Sequence, residues 1–589
     1  MAFGLWLRAD VFRFEFSLDD YAQLAMLEGR YPAPRSKLDL YTFSNGTRAD
    51  VQAVVDYGFY PWFTHPQLRL SMLRPLASAL SWLDLRLFGH AALAYHLHSA
   101  LWWCALLGLL AAGFRGLFGA RAALLALLLF TVDESHSVAL GWISNRNALI
   151  SLACTLAALH AYRRFREQAA PRAAFVACGL FCVALGAGEY ALCLAAYAFA
   201  YEACEARGQF PSRLRGLALW AVPGLVYLAA RSLGGFGAYG SDMYLDPLRD
   251  LGFFLRHGLV RLPVLCGDIV WGLPSDWWTF GLSGWTQGLI ALGLLPPSVL
   301  APDTARALQA GIGAVGGLLA VLLAIAAVRG ADDEPTRRRA ATLALGAGLS
   351  LLPLLAGFPT TRALLAPSIG YWLVLSLLIT RLFRPGKQPF RARAAQLTAA
   401  ILGVLQLSYG ASAAHGAARD LACDADLVRE VALRAELTEG QRVVLLNAGH
   451  PGIPIYLGLI RSQYGRPAPA SHWTLNPSFL PYWLTRSDAR TLELEPIGGS
   501  LLTGLFERVF RTAEAGVRVG QEFSLPGLKL RVLAVSGGGI SRLRAEFDRP
   551  LEDPRWSFLI AGPRGMERYV PPAIGQRVFV PPPLPPSLR

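Results

Sequence analysis

Long apolar runs separated by short polar ones dominate this chain. Crossing the hydrocarbon core of a bilayer takes about 20 mostly apolar residues. Ten stretches approach that pattern, near residues 91–113, 121–137, 143–162, 173–188, 190–204, 215–231, 306–328, 340–356, 369–383 and 395–413. The loop from Ser232 to Ala305 is mixed. There Arg256, His257 and Arg261 interrupt an apolar run, and Trp271, Trp277, Trp278 and Trp285 follow. This predicts an amphipathic helix in the membrane interface rather than a further span.

The pattern changes after Gly410. Residues 420–439 read as a polar helix, 442–447 as a buried strand, and the AGHPG run as a turn in which His450 reads as a polar turn residue, with a catalytic role as the alternative. Residues 455–464 suit a helix, and 491–497, 528–536, 541–547 and 556–562 suit strands. From Pro571 the proline-rich end reads as extended or disordered. The expected fold class is an all-α polytopic membrane bundle over residues 1–413, followed by a small mixed α/β domain over 414–589.

Composition agrees. The chain has 589 residues, 54% hydrophobic and 16% charged, with a mean hydropathy of +0.38, whereas soluble domains average about 25% charged residues. The net charge of +14 does not indicate nucleic acid, because the arginines cluster in short connections between apolar runs. Arg115 and Arg121 follow the first run, Arg163, Arg164, Arg166 and Arg172 the third, and Arg207, Arg213 and Arg215 the fifth. Arg329, Arg337, Arg338 and Arg339 follow the seventh, and Arg381, Arg384, Lys387, Arg391 and Arg393 the ninth. The positive-inside rule puts these loops in the cytoplasm. Residues 1–90, the 133–147 corner, the 232–305 loop, the 357–368 loop and everything after about 414 are then extracytoplasmic. Met1 to Phe16 is too short and too charged for a span or signal peptide, so this topology predicts a first transmembrane helix upstream. The Arg, Ala and Leu bias points to a GC-rich bacterial genome and hence to a bacterial inner membrane. The eight cysteines lie mostly inside apolar runs. Cys178 and Cys182 have no third ligand to complete a metal set.

Several polar strings stand out against this background. FSLDDY carries the adjacent acids Asp19 and Asp20, which read equally as a general base with its neighbour or as the cap of a helix beginning at Tyr21. Further on come LRPLASALSWLDLRLFGHAALAYHL, DESHSVALGWISNRNALIS, LGAGEYAL and TRALLAPSIGY. In order and spacing these strings resemble the GT-C superfamily of polyprenyl-phosphate-sugar-dependent glycosyltransferases. The resemblance is to the transmembrane O-mannosyltransferases that carry tetratricopeptide repeats and to their bacterial relatives, and it covers roughly residues 16–380. In that family an acidic pair lies in the first external loop, RPL and YHL elements follow, and an HTEAVAWISGRAD-like turn, a KE pair and an RYLYLPS-like segment come later. The family's HP before the turn is Asp133-Glu134 here, the asparagine after YHL is Ser99, the lysine of KE is Gly188, and the repeats are absent.

The resemblance implies transfer of a sugar, in a hexosyltransferase and mannosyltransferase-like manner, from a polyprenyl-phosphate-linked donor to a protein or glycan acceptor. Asp19 becomes the base, with Asp20 orienting it or binding sugar. Arg362 becomes the phosphate ligand, since a guanidinium fork suits phosphate; an interfacial arginine reaching for lipid headgroups is the alternative. Arg74 and Arg146 are further candidates for that task. Asp133, Glu134 and His136, with Asp19, are candidates to hold a divalent cation, Mg²⁺ or Mn²⁺. Glu189 matches the KE glutamate and equally suits an interhelical hydrogen bond. His65 and His96 are candidate substrate contacts or ordinary structural histidines. A non-enzymatic lipid carrier or assembly scaffold, with an outer domain that binds a partner, is the competing reading.

Overall fold

A computed structural model describes residues 1–280, 302–384, 389–504, 506–563 and 565–583. The chain forms two compact units. The first comprises Met1–Glu15, Met72–Gly235 and Leu245–Cys423, and the second Phe16–Ser71, Phe236–Tyr244 and Asp424–Arg589. The second unit thus takes in residues 424–589 together with two segments from earlier in the chain.

The first unit is helical. Each of the ten apolar stretches lies on helix. Among the described residues, six helices are long and apolar enough to cross a membrane: Ala92–Phe118, Phe210–Leu233, Thr304–Arg329, Glu334–Ala356, Thr361–Leu382 and Phe390–Arg434. Pro171–Ala187 and Tyr190–Cys204 are shorter apolar helices. Large apolar side chains such as Leu101, Leu124, Phe175 and Leu225 stay exposed on these helices, as lipid-facing positions do.

The stretch expected as one span at 121–137 is instead a bent pair, Ala120–Thr131 and Ser135–Gly141, meeting at 60°. Polar contacts hold the break. The Asp133 carboxylate accepts the Ser135 N–H at 2.9 Å. The buried Arg8 guanidinium donates to the carbonyls of Gly4, Thr131 and Asp133 and to the Ser137 hydroxyl. Backbone groups freed by the interrupted helix thus find partners inside the protein, which a lipid environment demands.

The 232–305 loop differs from the single amphipathic helix expected. Its described residues hold short helices Leu251–Gly258, Arg261–Trp271 and Trp277–Phe280, and Trp285 lies outside the described residues. Arg261 is buried and donates to the carbonyls of Leu355 (3.2 Å) and Gly357 (2.5 Å). Helix Arg261–Trp271 packs tightly on Pro302–Arg329: a Cβ at Gly313 would lie 1.9 Å from the Pro263 carbonyl oxygen. Such small-residue contacts bring helix backbones together where lipid supplies no hydrophobic drive.

The described residues of the second unit form three sheets. A short antiparallel one joins Thr42–Asn45, Arg69–Ser71 and Gly237–Tyr239. A four-stranded mixed sheet runs Gly565–Arg568, Trp556–Gly562, Arg442–Leu445, Ser471–Thr474; its last two neighbouring pairs are parallel, with helix Gly452–Gln463 as the crossover. Parallel pairing needs such a crossover and explains why RVVLL is apolar without alternation. The six-stranded antiparallel sheet alternates instead: Leu528, Leu530 and Val532 are buried while Lys529 and Arg531 are exposed. One of its edges is Arg577–Val580, paired with Tyr482–Asp488, so part of the proline-rich end is strand rather than free chain. Gly58 caps helix Arg48–Tyr57 at φ +103°, and a Cβ there would fall 1.8 Å from the His472 carbonyl oxygen. Only glycine satisfies both constraints.

Candidate functional site

In the first unit, the candidate cations differ sharply in what surrounds them. Arg146 is buried. It donates to Asp84 at 2.5 Å and to the Tyr95 carbonyl at 3.3 Å. Asp84 also meets His98 Nδ1 at 2.8 Å, and His98 Nε2 accepts from Trp102 at 3.0 Å. The Arg146 charge is therefore balanced inside the bundle. Arg74 pairs with Glu189 at 2.9 Å, and a Cβ at neighbouring Gly188 would lie 2.9 Å from Asn147 Nδ2. A lysine at that position, as in the KE pair, would be crowded.

Arg362 is different. It sits half-buried in the turn Thr361–Leu364, at the start of helix Leu365–Leu382. Its guanidinium lies 4.5 Å from the Trp142 ring centre and 5.8 Å from that of Phe358. Among the described residues it pairs with no carboxylate. Arg362, Arg74 and Glu189 all act electrostatically on the Tyr190 phenol, so they share one neighbourhood.

Two acids fix the turn that carries Arg362. Asp268 accepts from the Thr361 hydroxyl and from the Ser275 N–H and hydroxyl, each at 2.7 Å. Asp276 accepts the Thr361 N–H at 3.0 Å. Burial pushes the Asp268 carboxyl up to about 7, against the opposing pull of those hydrogen bonds. Neither acid stood out in the sequence, because each lies in an apolar or aromatic run that reads as interface.

Asp133 and His136 are buried and committed elsewhere. Asp133 accepts from Trp372 Nε1 at 2.6 Å, and His136 Nδ1 accepts from Trp103 Nε1 at 3.0 Å. Glu134 is half-buried and near Asp268 and Asp276. Among the described residues no group of three or more such side chains is arranged to hold a metal ion. Asp133 and His136 thus spend these donor atoms on tryptophan N–H groups within the protein. His96 is buried too, with Nε2 3.3 Å from the Glu15 carbonyl and its ring 4.9 Å from Phe14, the surroundings of a structural histidine.

In the second unit, helix Asp19–Leu27 begins two residues earlier than the capping reading requires, and its N-cap is Leu18. Asp20 is buried and accepts the Ser17 N–H at 3.0 Å, so it ties off the helix start. Asp19 is left half-exposed, its Oδ1 accepting from the Tyr456 hydroxyl. Tyr31 and Tyr60 are close enough to feel its charge, and Phe59 packs against Tyr31, Tyr60 and Tyr456. Leu18 has φ +43°, a conformation costly for a branched residue and common beside functional groups. His65 is half-buried; its Nδ1 accepts the Gln67 N–H at 3.2 Å, and burial followed by Arg511 holds it below the ordinary histidine range.

These features define a multi-pass helical membrane protein with a C-terminal β-sheet region and two polar centres, one around Arg362 and one around Asp19. No family model matches the chain, and no curated protein matches it. Among solved structures it is similar to ArnT from Cupriavidus metallidurans in the apo state, with 12% identity and a TM-score of 0.37 over 79% of this chain and 84% of that one. The structure of the same enzyme bound to undecaprenyl phosphate gives 16% identity and a TM-score of 0.31 over the same shares. The arabinofuranosyltransferase AftD from Mycobacteria gives 15% and 0.35 over 93% of this chain and 40% of that one.

Proposed function

We propose that this protein is a GT-C-type glycosyltransferase. It moves a hexosyl group from a polyprenyl-phosphate-linked donor to a hydroxyl of a protein or glycan acceptor, on the extracytoplasmic face of a bacterial inner membrane. The observation that carries this reading is Arg362, a half-buried guanidinium stacked on Trp142 with no carboxylate partner among the described residues. An unneutralised, pre-oriented fork of this kind is suited to a phosphate that gains charge as its sugar departs. Arg74, neutralised by Glu189, is the secondary phosphate contact, and Arg146 serves the scaffold. The ordered sequence strings and the arginine-rich loops support the donor class and the orientation.

Asp19 is the base. As the bond between the anomeric carbon and the phosphate oxygen breaks, a bond to the acceptor oxygen forms. The acceptor proton passes to the Asp19 carboxylate, and the bonding pair leaves with the polyprenyl phosphate. Asp20 holds the helix start rather than substrate.

The test is transfer from a labelled polyprenyl-phosphate hexose by the full chain in liposomes. Asp19→Asn abolishes turnover with the protein still folded. Undiminished turnover in that variant would remove Asp19 as the base.

A further inference from the structure

The first unit contains a cavity of about 890 Å³ that the proposed reaction does not use. It lies among helices Ala92–Phe118, Arg146–Gln168, Pro171–Ala187, Tyr190–Cys204 and Glu334–Ser350. One part is apolar, walled by Leu110, Leu156, Leu159, Val176 and Leu180. The other is strongly basic: Arg163, Arg164, Arg172 and Arg339 line it, against the carboxylates Glu167 and Glu205. Four positive and two negative groups leave a net +2 at this end.

The internal ion pairs do not consume that excess. Arg163 reaches Glu167 at 2.9 Å and Glu205 at 3.0 Å, and Arg339 shares Glu205 at 3.5 Å. Arg164 and Arg172 remain exposed at the rim. Val176 lines the cavity and is itself exposed on the outer face of its helix, so the cavity opens sideways, where lipid would lie. The Thr342 hydroxyl also lines it, buried and without a hydrogen-bond partner. An orphaned buried hydroxyl calls for a polar group that the protein does not supply. The basic end of the cavity is the end away from Arg362: Glu205 lies about 22 Å along the helix from Tyr190, whereas the apolar part reaches Leu194 and Ile369.

An apolar cleft of ligand size with a guanidinium rim at an arginine-rich membrane boundary has the chemistry of a lipid site. We propose that this cavity binds an anionic membrane phospholipid, its acyl chain between Leu159 and Leu180 and its phosphate at Arg163, Arg164, Arg172 and Arg339. The net positive rim excludes zwitterionic lipids by comparison, and the assignment is independent of the catalytic reading.

The full chain in lipid nanodiscs is photolabelled with a diazirine-acyl phosphatidylglycerol, and labelled peptides are mapped. Label is expected on helices Arg146–Gln168 and Pro171–Ala187. It falls by about fivefold for each of Arg164→Gln and Arg172→Gln, both folding-neutral rim substitutions, and it falls in the cavity-filling Leu180→Trp. A phosphatidylcholine probe labels these helices weakly. Equal labelling by the two probes, or label undiminished in the arginine variants, overturns the proposal. Displacement of the probe by an equimolar polyprenyl phosphate overturns it as well, by giving the site to the donor lipid.

Discussion

The Tyr456 hydroxyl donates a hydrogen bond to Asp19, a residue 437 positions away in the sequence. Burial, with the Asp19 charge beside it, holds the phenol well above its ordinary range. Tyr456 therefore stays a donor throughout the physiological range and favours the charged carboxylate.

This sets a pH signature for the proposed base. Tyr456→Phe removes the bond and little else, so the carboxylate becomes harder to ionise. The acid limb of the kcat/KM profile is expected to move to higher pH, with activity near wild type at high pH. A uniform loss at every pH would show that Tyr456 only supports the fold.

Arg362 is expected to act on the donor phosphate. Arg362→Ala lowers kcat/KM by about 100-fold, and Arg362→Lys recovers part of it, since lysine restores charge but not the fork. Thr361→Val removes the hydroxyl bond to Asp268 while the backbone bond to Asp276 stays, and is expected to give a smaller loss of the same kind. Equal activity of the alanine variant and wild type in the labelled-donor assay would exclude the phosphate role.

The Asp84–Arg146 pair is expected to matter for stability rather than turnover. Asp84→Asn leaves a buried guanidinium without its counter-charge, at a cost of about 3–5 kcal/mol. Asp84→Leu with Arg146→Met removes both charges and recovers most of that loss. Thermal unfolding in detergent checks both variants, and a double mutant no better than the single would refute the pairing argument.

Asp268 gives stability a pH dependence of unusual sign. Its carboxyl ionises near 7 in the folded chain, against an ordinary value of 3.8. The folded state thus holds the proton between those values while the unfolded state has released it, so stability is greatest at low pH and declines until about 7. Asp268→Asn removes the part of the dependence that Asp268 carries. Its stability relative to wild type should rise by about 2–3 kcal/mol from pH 5 to pH 8, measured as paired melting curves. A constant difference across that range would contradict the assignment.

The helices were legible because lipid imposes one rule, apolar side chains over a fixed length, and each run obeys it locally. The strand at 528–536 was legible for the same kind of reason, since Leu528, Leu530 and Val532 alternate with charged neighbours. Gly237–Tyr239 is three residues long and pairs with Arg69–Ser71 across some 170 positions; nothing in GAY marks it. Arg577–Val580 was hidden by flanking prolines. At the sites, Asp19 and Arg362 carry charges in unexpected places and stand out. Asp84, Asp268 and Tyr456 owe their importance to contacts made only after folding. Asp84 in particular sits in SWLDLRLF, where it reads as one polar face of a helix.

The three-segment composition of the second unit constrains how the protein is made. Phe16–Ser71 emerges early and Phe236–Tyr244 follows, but the rest of the unit begins at Asp424, 353 residues after Ser71 (424 − 71). At about 5–20 residues per second, synthesis leaves Phe59, Tyr60 and Trp62 without their late partners Tyr456, Phe510 and Phe523 for roughly 20–70 s. The cell must shield that aromatic surface while the intervening helices are inserted, so loss of a holding chaperone is expected to deplete this protein before it affects proteins whose domains are contiguous in sequence.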